Sequence, residues 1–169
     1  MLLKYSNSRE YLKHFFSKEK KRKDMWAVVD IEGIQSTKEH MCVRAMYILS
    51  EDGVTDKFIE FVPCLGIAEI DSKYKRSFNY CHYRVHKLSY YPQIMSGPCS
   101  SAGSELKRFI THNNITMIYF KGGQIERRLC ESIGVPSVNI ERFGAPKVDS
   151  HDPRVEVRLH LEFLKQYGL

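Results

Sequence analysis

The sequence predicts a single α/β domain on a mixed sheet, with three antiparallel strands leading into parallel α/β units and helices on both faces. Three observations carry this. Three β-rich runs separated by short turns fill residues 25–62, and helical and strand patterns alternate from residue 101 onward. The length of 169 residues favours one domain with a proper hydrophobic core.

The elements follow in order. Over residues 8–20, Ser8 suits an N-cap, and Tyr11, Leu12, Phe15 and Phe16 recur at helical spacing. The run MWAVVDIEGI at 25–34 reads as the first strand, HMCVRAMYILS at 40–50 as the second and VTDKFIEFV at 54–62 as the third. Glu51, Asp52 and Gly53 supply the turn between the last two. In the third run Val54, Phe58 and Phe61 do not alternate, which leaves its register open. Residues 63–98 give no regular pattern. Residues 101–113 read as a helix with Leu106, Phe109 and Ile110 inward, and ITMIYF at 115–120 as a buried strand. The helix QIERRLCESIG stops at Gly134 with Pro136 beyond. SVNIE at 137–141 is a short strand, and Asp152-Pro153 opens a last helix that runs to about Tyr167.

Charge divides the chain. Residues 1–23 hold eight basic and two acidic side chains, which accounts for the whole net charge of +6, and the rest is balanced. This arm, ending in KEKKRK with Lys20, Lys21, Arg22 and Lys23, reads as a nucleic-acid-binding or nuclear-targeting patch ahead of a domain at 24–169. A solvated helix end is the bland alternative. No apolar run has the length of a membrane span or the form of a signal peptide, so a cytoplasmic or nuclear protein is expected, with no membrane partner. Five cysteines, odd in number and never spaced as CxxC, argue for reduced thiols rather than a disulfide framework.

Asp30-Ile31-Glu32 is the sharpest feature. Residues i and i+2 of a strand share a face, so two carboxylates project together from an apolar element. Like charges resist burial side by side, and a hard divalent cation resolves the conflict. On these residues, the chain resembles the DEDDh-type 3′–5′ exonucleases, a branch of the ribonuclease H-like superfamily whose first motif is a strand carrying DxE. The family's second motif is a strand, a small-residue turn and an acid on the next helix. Here IYFKGGQIERRL offers Gly122-Gly123 and Glu126. Its third motif opens the last helix with His, four residues and Asp. Here HDPRVEVRLHLEFL offers His151 and Glu156, with Leu164 at the usual terminal apolar position. Glutamates thus stand at 126 and 156 where the family has aspartates, and Lys121 lies beside the second motif, able to bind phosphate or displace a metal. Similarly degenerate motifs occur in non-catalytic relatives such as the Maelstrom domain.

The resemblance implies a catalytic set of Asp30, Glu32, Glu126, His151 and Glu156. Asp30, Glu32 and Glu156 would hold two Mg2+ or Mn2+ ions, Glu126 would anchor the outer ion, and His151 would act as general base. Read singly, Glu126 and Glu156 are also ordinary first-turn acids on helices.

Other clusters carry weaker signals. Lys73, Lys75, Arg76, Arg84 and Lys87 interleave with Tyr74, Phe78, Tyr80, Tyr83, Tyr90 and Tyr91, a composition suited to single-stranded nucleic acid or to aromatics packed beneath a loop. Cys81, His82 and His86 lack a fourth ligand at a sensible spacing, which argues against zinc. Lys121-Gly122-Gly123 is a candidate phosphate contact before a helix N-terminus, or simply a tight turn. Cys42 and Cys130 read as core. The expected function is a metal-dependent nuclease, specifically a 3′–5′ exonuclease on RNA or single-stranded DNA. The alternatives are a catalytically inactive module on the same fold that binds RNA or a protein partner, and a structural protein with a captured nuclease fold and self-association.

Overall fold

A computed structural model describes residues 25–35, 41–61, 69–80, 84 and 101–169. The basic arm with its helix at 8–20, and Cys64, Cys81, His82, Tyr83, His86, Lys87, Tyr90, Tyr91 and Cys99, lie outside the described residues.

β1 (Met25–Gln35) is the middle strand of a five-stranded sheet. It pairs antiparallel with β2 (Met41–Ser50), which pairs antiparallel with β3 (Asp56–Glu60). On its other side it pairs parallel with β4 (Ile115–Phe120), and β4 with β5 (Ser137–Asn139), giving the order β3-β2-β1-β4-β5. The mixed α/β architecture is the one the sequence predicts.

Alternation along β1 sorts its side chains between two apolar clusters. Ala27, Val29 and Ile31 join a cluster with Phe78 of α1 (Ser72–Tyr80), Leu106 and Phe109 of α2 (Ala102–His112) and Cys130 of α3 (Gln124–Ile133). Trp26 and Val28 join a second with Val157, Leu161 and Leu164 of α4 (Pro153–Lys165). Each face of the sheet therefore has its own helical cover. On the α4 side Trp26 meets Tyr119 edge to face, with ring centroids 5.4 Å apart. Truncating Leu161 in this layer would cost about 2–5 kcal/mol, the range for a large-to-small core change.

Three elements depart from expectation for visible reasons. α1 lies inside the stretch that gave no regular pattern. Tyr74 and Phe78, four residues apart, turn one face onto the core, and the surrounding cations hide that short signal. β3 begins only at Asp56, because Asp52 accepts hydrogen bonds from the backbone of Val54 (2.9 Å) and Thr55 (2.8 Å), fixing a turn that leaves Val54 exposed. The open register closes once Val54 is removed from the strand: Ile59 and Phe61 are inward and Phe58 faces the α4 side. β5 ends at Asn139 and not at 141, since the Asn139 side chain caps a 3-10 turn, Ile140–Phe143, by accepting from the Glu141 N–H at 2.9 Å.

The start of α4 is as expected. Asp152 caps it, accepting from the Arg154 N–H at 3.0 Å, and Pro153 occupies its first turn. Cys42 and Cys130 are buried free thiols. Among the described residues no helix is long and apolar enough to cross a membrane.

Candidate metal centre

β1 reaches beyond its parallel neighbour. The ladder with β4 ends at Val29 opposite Phe120, whereas pairing with β2 continues through Asp30, opposite Tyr47, and Glu32, opposite Ala45. The register then slips between Glu32 and Gly33, a bulge of the kind that re-aims a strand end. Asp30 and Glu32 thus occupy the carboxyl end of a central strand, on the side that faces α4.

Helix α4 supplies the third carboxylate. Its inward stripe runs through Pro153, Val157, His160, Leu161 and Leu164, and Glu156 sits half-buried at the stripe's margin. Carboxylate oxygens of Asp30, Glu32 and Glu156 lie within 4.8 Å of one another. Asp30 is 6% exposed, and its Oδ2 has no hydrogen-bond partner among the described residues.

Glu126 approaches from the other side of β1. It lies in the first turn of α3 and is buried. Its carboxylate accepts hydrogen bonds from its own backbone and from that of Ile31. It stands outside the three-carboxylate group, although its charge is felt by Asp30. The β4–α3 turn makes this approach possible. Gly122 has φ +135°, which calls for glycine, while a Cβ there would lie 3.7 Å from Glu126 Oε1, an ordinary contact.

The electrostatics are those of crowded anions. Burial foremost, and then Glu32, Glu156 and Glu126 in turn, hold the Asp30 carboxyl well above its ordinary range, against a hydrogen bond from Ile31. Burial pushes Glu126 up to about 7 despite its two backbone hydrogen bonds. Glu156 is raised by burial and by Glu32, and the positive charge of Lys121 opposes the shift. A buried carboxylate oxygen lacking a donor, beside two more carboxylates, fits a hard divalent cation with oxygen ligands. Among the described residues the donor set contains no thiolate or imidazole, as zinc would favour.

Of the residues expected at the site, the structure gathers Asp30, Glu32 and Glu156 and sets Glu126 alongside. His151 is exposed in the segment before α4. Lys121 is half-buried just after β4. Lys73, Lys75, Arg76 and Arg84 are exposed, and Phe78 is buried beneath α1, so aromatic packing explains that ring while Tyr80 stays 62% exposed.

Two residues near the site escaped sequence reasoning. His160 is fully buried, its Nε2 lying 3.4 Å from the Pro146 carbonyl oxygen. Its place four residues after Glu156, on the same helix face, was the available signal. Tyr47 lies across the ladder from Asp30, donates to Asp56 at 2.5 Å and accepts from Arg158 at 3.0 Å.

No protein-family model, curated protein or solved structure matches the chain.

Proposed function

We propose that the protein is a metal-dependent nuclease of ribonuclease H-like fold, hydrolysing phosphodiester bonds of RNA or single-stranded DNA in the manner of a 3′–5′ exonuclease. The observation that carries this reading is Asp30, a buried carboxylate with an oxygen that has no donor among the described residues, grouped with Glu32 and Glu156 within 4.8 Å. The strand order β3-β2-β1-β4-β5, with its antiparallel trio and parallel extension, supports the fold assignment.

In this reading Asp30, Glu32 and Glu156 hold Mg2+ or Mn2+, which when bound supplies Lewis-acid stabilisation of the charge that builds on the phosphate oxygens. The protein's own residues do the rest. Glu126, tied to the backbone of Ile31, holds the end of β1 in place. His151 accepts the proton of the attacking water, a task suited to an exposed imidazole. Exposed cations on α1 approach the phosphodiester backbone, and the arm at Lys20, Lys21, Arg22 and Lys23 adds non-specific affinity.

The test is degradation of labelled single strands by the purified chain with Mn2+ or Mg2+. Asp30→Asn should abolish it while leaving the circular dichroism spectrum unchanged. Equal cleavage by wild type and Asp30→Asn would remove the proposal. One observation favours a second reading, a non-catalytic RNA- or protein-binding module: the Glu126 carboxylate is engaged by backbone donors. That reading expects salt-sensitive nucleic-acid binding that survives Asp30→Asn and needs no divalent ion.

A further inference from the structure

We propose that the carboxylate cluster takes a single divalent cation, and that the ammonium of Lys121 supplies the second positive charge that a two-ion centre would otherwise need. This rests on the nuclease reading above only in requiring that the cluster bind metal.

Sheet register is the first support. The last β1–β4 pair is Val29 with Phe120, so the next residues on the two strands are Asp30 and Lys121. Alternation along β4 sends Ile118 and Phe120 to the cluster beneath α1–α3, and Met117 and Tyr119 to the α4 side. Lys121 continues the second series. Continued one residue past the end of β4, that alternation puts Lys121 on the side where Asp30 and Glu32 meet Glu156. The position is half-buried, and its charge acts on both Glu156 and His160 of α4.

Ligand supply is the second support. Among the described residues three carboxylates converge, and one of them offers a buried oxygen without a donor. Glu126, the acid that would serve an outer ion, stands outside that group and accepts two backbone hydrogen bonds. One small hard ion is content with a few carboxylates and several waters. A dication and an ammonium together neutralise the three carboxylates that converge. A lysine is also a compact point charge suited to a phosphate oxygen, so Lys121 can oppose the substrate's charge.

The experiment is a titration of the full chain with Mn2+, read by native mass spectrometry for stoichiometry and by electron paramagnetic resonance for spin coupling between neighbouring ions. The wild type should bind one ion with an uncoupled signal. Lys121→Met and Lys121→Gln should bind it about tenfold more tightly, as removal of a neighbouring like charge predicts. Lys121→Arg should match the wild type. Thermal unfolding of each variant checks that the fold is retained. Two spin-coupled ions in the wild type, or unchanged Mn2+ affinity in folded Lys121→Met and Lys121→Gln, overturns the inference and leaves the nuclease reading standing. Absence of any bound Mn2+ overturns both.

Discussion

Asn139 Nδ2 donates a hydrogen bond to the carbonyl oxygen of Gly122 at 3.0 Å, joining the end of β5 to the turn that carries Glu126 toward β1. The other end of the same amide accepts from the Glu141 N–H. One side chain thus fixes two turns, and one of them positions an acid of the candidate centre.

Asn139→Ala removes both bonds. A loss of about 1–2 kcal/mol is expected, since a typical net hydrogen bond is worth roughly 1 kcal/mol. Urea denaturation measures it. Hydrogen exchange should show faster exchange through residues 121–126, and a protection pattern unchanged there would refute the role assigned to this amide.

Gly122→Ala tests the same turn from the backbone side. At φ +135° an alanine is strained, at a cost on the order of 1–3 kcal/mol. Its methyl group makes only ordinary contact with the Glu126 carboxylate, so the strain of the backbone is what shifts the turn that carries this acid. The variant should therefore lose stability and Mn2+ affinity together. A methyl group at position 123 would meet nothing within 4 Å, and Gly123 carries no such backbone demand. Gly123→Ala is therefore the control and should change little.

The crowded acids make the metal-free protein sensitive to pH in a defined direction. Asp30, Glu126 and Glu156 all have folded pKa values raised above the unfolded ones. A raised carboxyl favours the fold while protonated, and that contribution is lost as pH climbs through the folded value. For Glu126 the window runs from 4.5 to about 7. The Tm without divalent ions should fall across this window, and Mn2+ should restore it on the alkaline side by binding only the folded form. Asp30→Asn should flatten the fall and abolish the rescue. A Tm that rises with pH through this range in metal-free wild type would contradict the assignment.

What the sequence disclosed about this chain follows the reach of its signals. Period-two alternation in MWAVVDIEGI placed Asp30 and Glu32 on one face, because that rule is local and the strand is long. The cap at Asp152 and the stop at Gly134 were equally local. α1 was hidden because only Tyr74 and Phe78 mark its inner face among many cations. β5 was overdrawn because a side-chain cap by Asn139 ends it, and a cap of this kind looks in sequence like any asparagine. At the site, the grouping of Glu156 with Asp30 depends on how α4 lies across the sheet, a tertiary fact that only motif resemblance anticipated. The place of Lys121 beside Asp30 depends on the parallel register between strands almost a hundred residues apart in the chain, and no pattern within either strand encodes it.

His160 should impose the opposite pH limb. It is fully buried on α4, and burial lowers its pKa from 6.5, with the charge of Lys121 adding to the effect and the Pro146 carbonyl opposing it. A base with a lowered folded pKa supports the fold above its unfolded value, and that support is lost as pH falls through the folded one. This window lies below 6.5 and overlaps the one in which the raised acids act with the opposite sign, so His160 offsets part of the fall in Tm without reversing it. Asp52 and Asp152 contribute to acid sensitivity only further down, since hydrogen bonds from Thr55 and Arg154 hold their carboxyls below 3.8. His160→Gln, which keeps a polar group of similar reach and removes the titration, should therefore make the fall of Tm with pH steeper below 6.5. Tm profiles of the two proteins, measured with a chelator present, decide it: an unchanged slope in the variant would mean that another group carries the proton.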